Sequence, residues 1–134
     1  ERAVRGTDGC RWPWGDTWDA AKLNSYDGGI GRTSAVGIFP TGRREEGKEA
    51  IYDCAGNVWE WCSGPGVSDT PYPFQRRPYS EDLKLSATYR ALRGGSWYNL
   101  DQYTRAAYRY FYDPDLRNYY VGFRVAELLS DPES

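Results

Sequence analysis

Reactive side chains are few in this chain, and their spacing limits the chemistry open to them. The cysteines are Cys10, Cys54 and Cys62. Their separations are not those of a zinc-binding set, and an odd number leaves at least one thiol free or paired outside the chain. Histidine is absent. The commonest general base, nucleophile activator and metal ligand is thereby missing, so Ser-His-Asp and Cys-His chemistry within the chain is excluded. What remains abundant is recognition chemistry. Between Trp97 and Val121 stand Tyr98, Tyr103, Tyr108, Tyr110, Tyr112, Tyr119 and Tyr120, seven of the twelve tyrosines. Asn99, Leu100, Asp101, Phe111, Asp113, Leu116 and Asn118 are interspersed with them. Tyrosine supplies a large, stiff, amphipathic contact area at low side-chain entropy cost, which is why binding loops favour it. Burying all seven hydroxyls without partners costs about 1–3 kcal/mol each, so an exposed tyrosine patch is the cheaper arrangement. The competing interpretation is a wet core rim, with tyrosine chosen for its strand propensity.

The elements that must position these residues are short. The chain of 134 residues is one domain's worth at most. Fifteen glycines and eight prolines break it often, which predicts a loop-rich fold with short strands and not a helical bundle. Residues 1–5 read as the last turn of a helix closed by Gly6, which implies sequence upstream. Trp12-Pro13-Trp14-Gly15 is too broken for regular structure, and residues 24–34 form a polar loop. Val36, Ile38 and Phe39 read as a short buried segment ended by Pro40. Residues 43–50 read as charged, solvated loop, and 63–88 as a long insertion-like loop. Strands are predicted at 58–61, with a buried Trp, at 89–97 running into a Gly-Gly turn, at 105–112, and at 120–126 with Val121, Phe123 and Val125 on one face. Asp113-Pro114-Asp115 is a turn. Residues 130–134 read as a frayed tail.

Charge and hydropathy exclude two partner classes. The net charge is -2, so no basic field draws a nucleic-acid backbone. No run of about 18 apolar residues is long enough to span a membrane. No secretory leader pattern stands at the start.

Four blocks occur in order along nearly the whole chain. They are Arg5-Gly6-Thr7-Asp8-Gly9 with Trp12-Pro13-Trp14-Gly15; Asp53-Cys54-Ala55-Gly56-Asn57-Val58-Trp59-Glu60-Trp61; Leu92-Arg93-Gly94-Gly95-Ser96-Trp97; and Gly122-Phe123-Arg124-Val125. Together they resemble the formylglycine-generating-enzyme (sulfatase-modifying factor) family. The resemblance implies an α+β, C-type-lectin-like fold, loop-rich with short antiparallel strands. It further implies that residues 1–134 are the C-terminal portion of one such domain, because the Pro-Thr-Glu-Ala-Glu-Trp segment usual in the family is absent before Glu1.

The family's enzymes oxidise a substrate cysteine with two copper-binding cysteines that follow the Gly-Gly-Ser-aromatic motif. Soft thiolates are what Cu(I) requires. The matching positions here fall near Asn99 and Thr104, and no cysteine follows Cys62. The expectation is a non-catalytic domain that requires no cofactor. The tyrosine-rich stretch closely resembles the variable region of diversity-generating-retroelement proteins, which use the same fold. There, randomised adenines of AAC codons yield Tyr, Phe, Leu, Asp and Ser but never Lys, Glu, Trp or Met, and the tyrosines and the interspersed residues obey that rule. The resemblance therefore implies a variable region at 93–125. Its ligand-binding set is Tyr98, Asn99, Leu100, Asp101, Tyr103, Tyr108, Tyr110, Phe111, Tyr112, Leu116, Asn118, Tyr119 and Tyr120, with Arg105, Arg109 and Arg117 bracing the loops. The partner expected is a macromolecule, a protein, alongside the upstream segment of the same polypeptide. Display on a cell surface or a phage accords with this resemblance, though the residues name no compartment. The rivals are a formylglycine-generating-type oxidoreductase and a calcium-dependent lectin. The lectin Glu-Pro-Asn and Gln-Pro-Asp triplets are absent.

The resemblance also implies a structural calcium site at Asp53, Gly56, Val58 and Glu60, since calcium takes 6–8 oxygen ligands. The alternative is that Asp53 and Glu60 cap and pair locally. A second family calcium site falls near Asn24 and the loop 27–30, where the expected Asp is shifted. Cys54 and Cys62 fit either a disulfide or a reduced buried pair. Trp59, Trp61 and Trp97 are expected in the core, with Arg93, Arg124 and Glu60 as structural hydrogen-bonding groups.

Overall fold

The computed structural model describes residues 2–46, 49–65 and 89–126. A helical turn, α1 (Arg2–Arg5), opens the chain, and Gly6 closes it in the left-handed region at φ 64°. Next come two 3-10 turns, Ala20–Lys22 and Pro40–Gly42. Asp19 caps the first by accepting the Ala21 N–H. The strands are β1 (Arg44–Glu46), β2 (Glu49–Ile51), β3 (Trp59–Pro65), β4 (Arg90–Arg93), β5 (Tyr110–Tyr112) and β6 (Val121–Gly122).

Two sheets result. β1 and β2 form an antiparallel hairpin with Glu45 opposite Ala50. The stretch 43–50, expected as loop, is therefore partly strand; its exposed faces let charged residues occupy a two-stranded ribbon. The second sheet has the order β5-β4-β3-β6. β3 with β4 and β4 with β5 are antiparallel, but β6 lies parallel to β3, pairing Trp59 with Val121. That parallel pair departs from the all-antiparallel expectation and needs a long return connection, which the segment between β3 and β6 provides.

The core is small and partly polar. Leu92, Leu23, Trp12, Trp59, Ala55 and Ala106 are buried, and so are Asn24, Ser25, Asn57, Ser96 and Thr104. Asn57 takes up the polar demand. Its N–H donates to Asn24 O at 2.8 Å, and its Oδ1 accepts from Ser34 N–H at 2.9 Å and from Asn24 Nδ2 at 3.3 Å. Its Nδ2 donates to Ser34 O, and its carbonyl accepts the Trp97 N–H at 2.9 Å. Asn57 sits at φ 65°, a left-handed conformation that asparagine tolerates better than most residues. The loop 24–34 is thus fastened to the core at both ends, by Asn24 and by Ser34, while 26–33 between them lie in solvent.

Several expected elements are shorter or displaced. Val36 is 81% exposed and Ile38 is also exposed, so the buried segment at 36–39 does not form. Gly37 turns there at φ 80° and donates its N–H to Asp53 Oδ2 at 2.7 Å, which holds the segment as a loop. The predicted strand 105–112 shrinks to β5, because Tyr108 N–H turns back to Arg105 O and Ala106 N–H bonds Arg11 O. The strand 120–126 shrinks to β6, leaving Phe123 and Val125 exposed. Trp61 and Trp97 are half-buried; Trp59 is buried as expected. The long loop expected at 63–88 lies outside the described residues from 66 onward, and 63–65 extend β3. The tail at 130–134 also lies outside them.

Candidate functional site

β4 runs into Gly94-Gly95, and this turn launches the tyrosine-rich stretch. Gly95 has φ 73°, and a side chain there meets Thr104 Cγ2 at 2.8 Å and Tyr103 O at 3.0 Å, so only glycine lets the two segments close. Ser96 follows, fully buried. Its N–H and hydroxyl both donate to Asn99 Oδ1, at 3.0 and 2.7 Å, and Asn99 N–H donates back to Ser96 O. Asn99 O accepts the Tyr26 N–H. The side-chain oxygen of Asn99, a residue of the expected ligand-binding set, is therefore committed to the turn. Asp101 opens the 3-10 turn Asp101–Tyr103 and is half-buried. Thr104 closes that turn, with its hydroxyl donating to Asp101 O at 2.8 Å and accepting the Trp12 indole N–H at 3.2 Å. The two positions expected to match the copper-binding thiolates are thus held by groups that knit the scaffold.

The aromatic residues fall into two groups around two tryptophans. Trp97 stacks on Tyr119, with centroids 5.8 Å apart, and meets Tyr98 edge-on at 5.6 Å. Tyr98 stacks on Tyr120 at 6.2 Å, and Tyr120 meets Tyr119 edge-on at 5.3 Å, so these four rings close a cycle. In the second group Trp59 contacts Tyr110 at 5.5 Å and Tyr108 at 6.0 Å; Tyr108 meets Tyr103, and Tyr110 meets Tyr112. Tyr112 of the second group stands close enough to Tyr120 of the first to act on it. The Tyr112 hydroxyl, ahead of burial, pushes the Tyr120 phenol up to about 12 from 10.0. Burial, and then the neighbouring Tyr103, push Tyr108 up as well.

The array is presented, not buried. Tyr98 (58%), Tyr110 (41%) and Tyr119 (72%) are exposed; Tyr103, Tyr108, Tyr112 and Tyr120 are half-buried. Leu100 and Leu116 are exposed beside them, and Phe111 is half-buried on β5 opposite Ala91. Asn118 is half-buried, with its carbonyl accepting the Val121 N–H. Asp113 Oδ1 accepts the Asp115 N–H, the side-chain turn expected there. Of the bracing arginines, Arg105 Nε donates to Gln102 O at 2.9 Å.

The Asp53–Glu60 set adopts the local pairing. Arg124 chelates Glu60, with Nε and Nη2 each 2.7 Å from a carboxylate oxygen, and also donates to the carbonyls of Tyr52 and Asp53. Asp53 Oδ2 accepts the Gly37 N–H. Gly56 N–H donates to Gly94 O, and Val58 packs against Gly122. As arranged, the set does not fit a calcium ion, which would have to displace Arg124 from both carboxylate oxygens of Glu60. Arg93 donates to Ala106 O and Ala107 O, as a structural group should. Cys54 and Cys62 are both free thiols, and burial pushes both up from 9.0.

The Sulfatase-modifying factor enzyme 1-like domain matches residues 1–129. The chain belongs to this family. It is 36% identical over 121 residues to a hercynine oxygenase of Mycolicibacterium thermoresistibile, covering 87% of this chain and 26% of that protein. It is 30% identical over 142 residues to the formylglycine-generating enzyme of Thermomonospora curvata, covering 94% and 46%. The family therefore includes enzymes, and the chain spans about a quarter to under a half of these relatives' length. Among solved structures it is similar to Treponema denticola variable protein 1, with a TM-score of 0.68 at 24% identity over 90% of this chain and 42% of that one. The fold is accordingly the loop-rich, C-type-lectin-like fold of the family.

Asn57 and Asn24 escaped the sequence reading as anchors of the site. The only signal in the sequence was Asn57 within the Gly56-Asn57-Val58 run, where asparagine marks a left-handed turn.

Proposed function

We propose that the chain is a non-catalytic binding module whose tyrosine array engages a macromolecular target, a protein. The observation that carries this is the pair of ring groups around Trp97 and Trp59, with Tyr98, Tyr110 and Tyr119 turned to solvent. Large, stiff aromatic rings on a hydrogen-bonded turn lose little entropy on binding, and apolar area with a polar hydroxyl suits protein surfaces. Asn99 and Thr104, committed to the scaffold, leave no thiol to hold copper after the Gly-Gly-Ser turn, which supports a loss of the family's oxidase chemistry. The similarity to a variable protein supports taking residues 93–125 as the diversified region.

Two experiments test this. Binders selected from a displayed-protein library against the chain should lose affinity for the Tyr98→Ser, Tyr110→Ser, Tyr119→Ser triple variant; retention of affinity would sink the reading. In the encoding DNA, a near-copy of codons 93–125 differing mainly at adenines should lie beside a reverse-transcriptase gene.

A further inference from the structure

An open cleft of about 380 Å³ is lined by Arg5, Cys10 and Arg11 on one side and by Arg105, Ala107, Tyr108 and Arg109 on the other. Four of these seven residues carry guanidinium groups, and no carboxylate is among the lining residues described. Two described acids of the same N-terminal segment have partners of their own. Asp8 takes Arg44 at 2.9 Å and the Cys10 thiol at 3.1 Å, and Asp16 Oδ1 accepts the Arg11 N–H at 2.8 Å. One bond joins the two walls, Ala106 N–H to Arg11 O at 2.7 Å, and each wall is held within itself, by Cys10 N–H to Arg5 O at 3.2 Å and by Tyr108 N–H to Arg105 O at 2.9 Å. The Arg5 guanidinium is itself steadied by Gly9 O at 2.9 Å.

We propose that this cleft takes an acidic segment of the protein target, its carboxylates held by Arg11 and Arg105 at the cleft's exposed rim. The inference rests on the binding-module reading and deepens it. Tyr108 belongs to both surfaces: it lines the cleft and contacts Tyr103 and Trp59 in the aromatic array. Guanidinium is planar and forked and matches a carboxylate with two parallel hydrogen bonds. In a chain of net charge -2, a local concentration of arginines makes a steering field for acidic partners without attracting polyanions everywhere. The aromatic array then supplies contact area, and the cleft supplies register and encounter rate.

The test uses fluorescein-labelled hexaglutamate and hexaglutamine peptides, read by fluorescence anisotropy against the chain. Hexaglutamate should bind and hexaglutamine should not. The Arg11→Gln, Arg105→Gln double variant should weaken hexaglutamate by about tenfold, with only a small fall in melting temperature, because both residues are exposed and the Arg105 bond to Gln102 O is at the surface. Tyr98→Ser with Tyr119→Ser should leave hexaglutamate binding intact, so this result is independent of whether the tyrosine array binds a protein. Equal affinity of the double variant and the parent overturns the proposal. So does displacement of hexaglutamate by inorganic phosphate at equal concentration, or tighter binding of a labelled oligo-dT than of hexaglutamate, which would mark a nucleic-acid surface instead.

Discussion

The indole N–H of Trp12 donates to the Thr104 hydroxyl at 3.2 Å, joining residues 92 positions apart inside the core. The same hydroxyl donates to Asp101 O, so one buried oxygen ties the N-terminal Trp-Pro-Trp-Gly turn to the 3-10 turn that starts the tyrosine array. Thr104→Val keeps the shape and removes both bonds. It should cost about 1–3 kcal/mol, the range for leaving a buried donor unsatisfied. Thr104→Ser keeps the hydroxyl and should cost about 1 kcal/mol for the lost methyl. Urea unfolding midpoints of the two variants separate hydrogen bonding from packing.

Tyr98 and Tyr119 should behave in the opposite sense. Both are exposed, so alanine at either should move the melting temperature little. Affinity for a selected protein binder should fall about tenfold or more at each, as at aromatic hot spots. Calorimetric melting and surface plasmon resonance on the same variants check the pair of outcomes; a large stability loss with unchanged affinity would make the tyrosines structural.

Tyr120 should ionise well above the ordinary range of a tyrosine. The neighbouring Tyr112 hydroxyl raises it to about 12 from an unfolded value of 10.0. A raised folded value means that the proton-bearing form is favoured by folding. The contribution is therefore fully present below pH 10 and is lost as pH rises toward 12. Tyr112→Phe should remove the highest-pH phase of tyrosinate absorbance, measured before alkaline unfolding sets in.

Cys54 and Cys62 should be poor nucleophiles. Burial opposes their thiolates, and both values lie above 9.0. Iodoacetamide at neutral pH should label them slowly in the folded chain and fast in urea, read by peptide mass mapping. Supplied with Cu(I) and a cysteine-containing peptide, the chain should give no aldehyde product and no oxygen uptake. Turnover would return it to the oxidoreductases.

Arg124→Gln should cost about 1–2 kcal/mol, because it releases Glu60 and two backbone carbonyls from one partly exposed guanidinium. With Arg124 in place, millimolar calcium and EDTA should give the same melting temperature. A calcium-dependent rise would restore the calcium set at Asp53 and Glu60.

The parts of the fold legible in the sequence were those set by local geometry or by several blocks together. Gly6 after a short helical run, the Gly94-Gly95 turn and the strand carrying Trp59 follow from conformational rules that act over a few residues. The exposed tyrosines were legible because seven hydroxyls are expensive to bury. The buried polar residues were not. Asn24 and Ser25 look like loop from their types, and only the fold brings Asn57 beside Asn24. Val36, Ile38, Phe123 and Val125 were misplaced for the converse reason: apolar character predicts burial only where a neighbouring element covers it. The commitment of Asn99 to Ser96 also lay beyond reach, since its type is the same whether it faces a ligand or caps a turn.

Trp97 hangs from Asn57 through its backbone, and Ser96 and Thr104 are fully buried, whereas among the described residues Tyr98 and Tyr119 add to the hydrogen-bond ladder only the Tyr98 N–H to Ser96 Oγ. Folding and identity of the presented surface are thus written in different residues. A lineage carrying this scaffold is free to sample new specificities at the outer positions without first accumulating stabilising substitutions elsewhere.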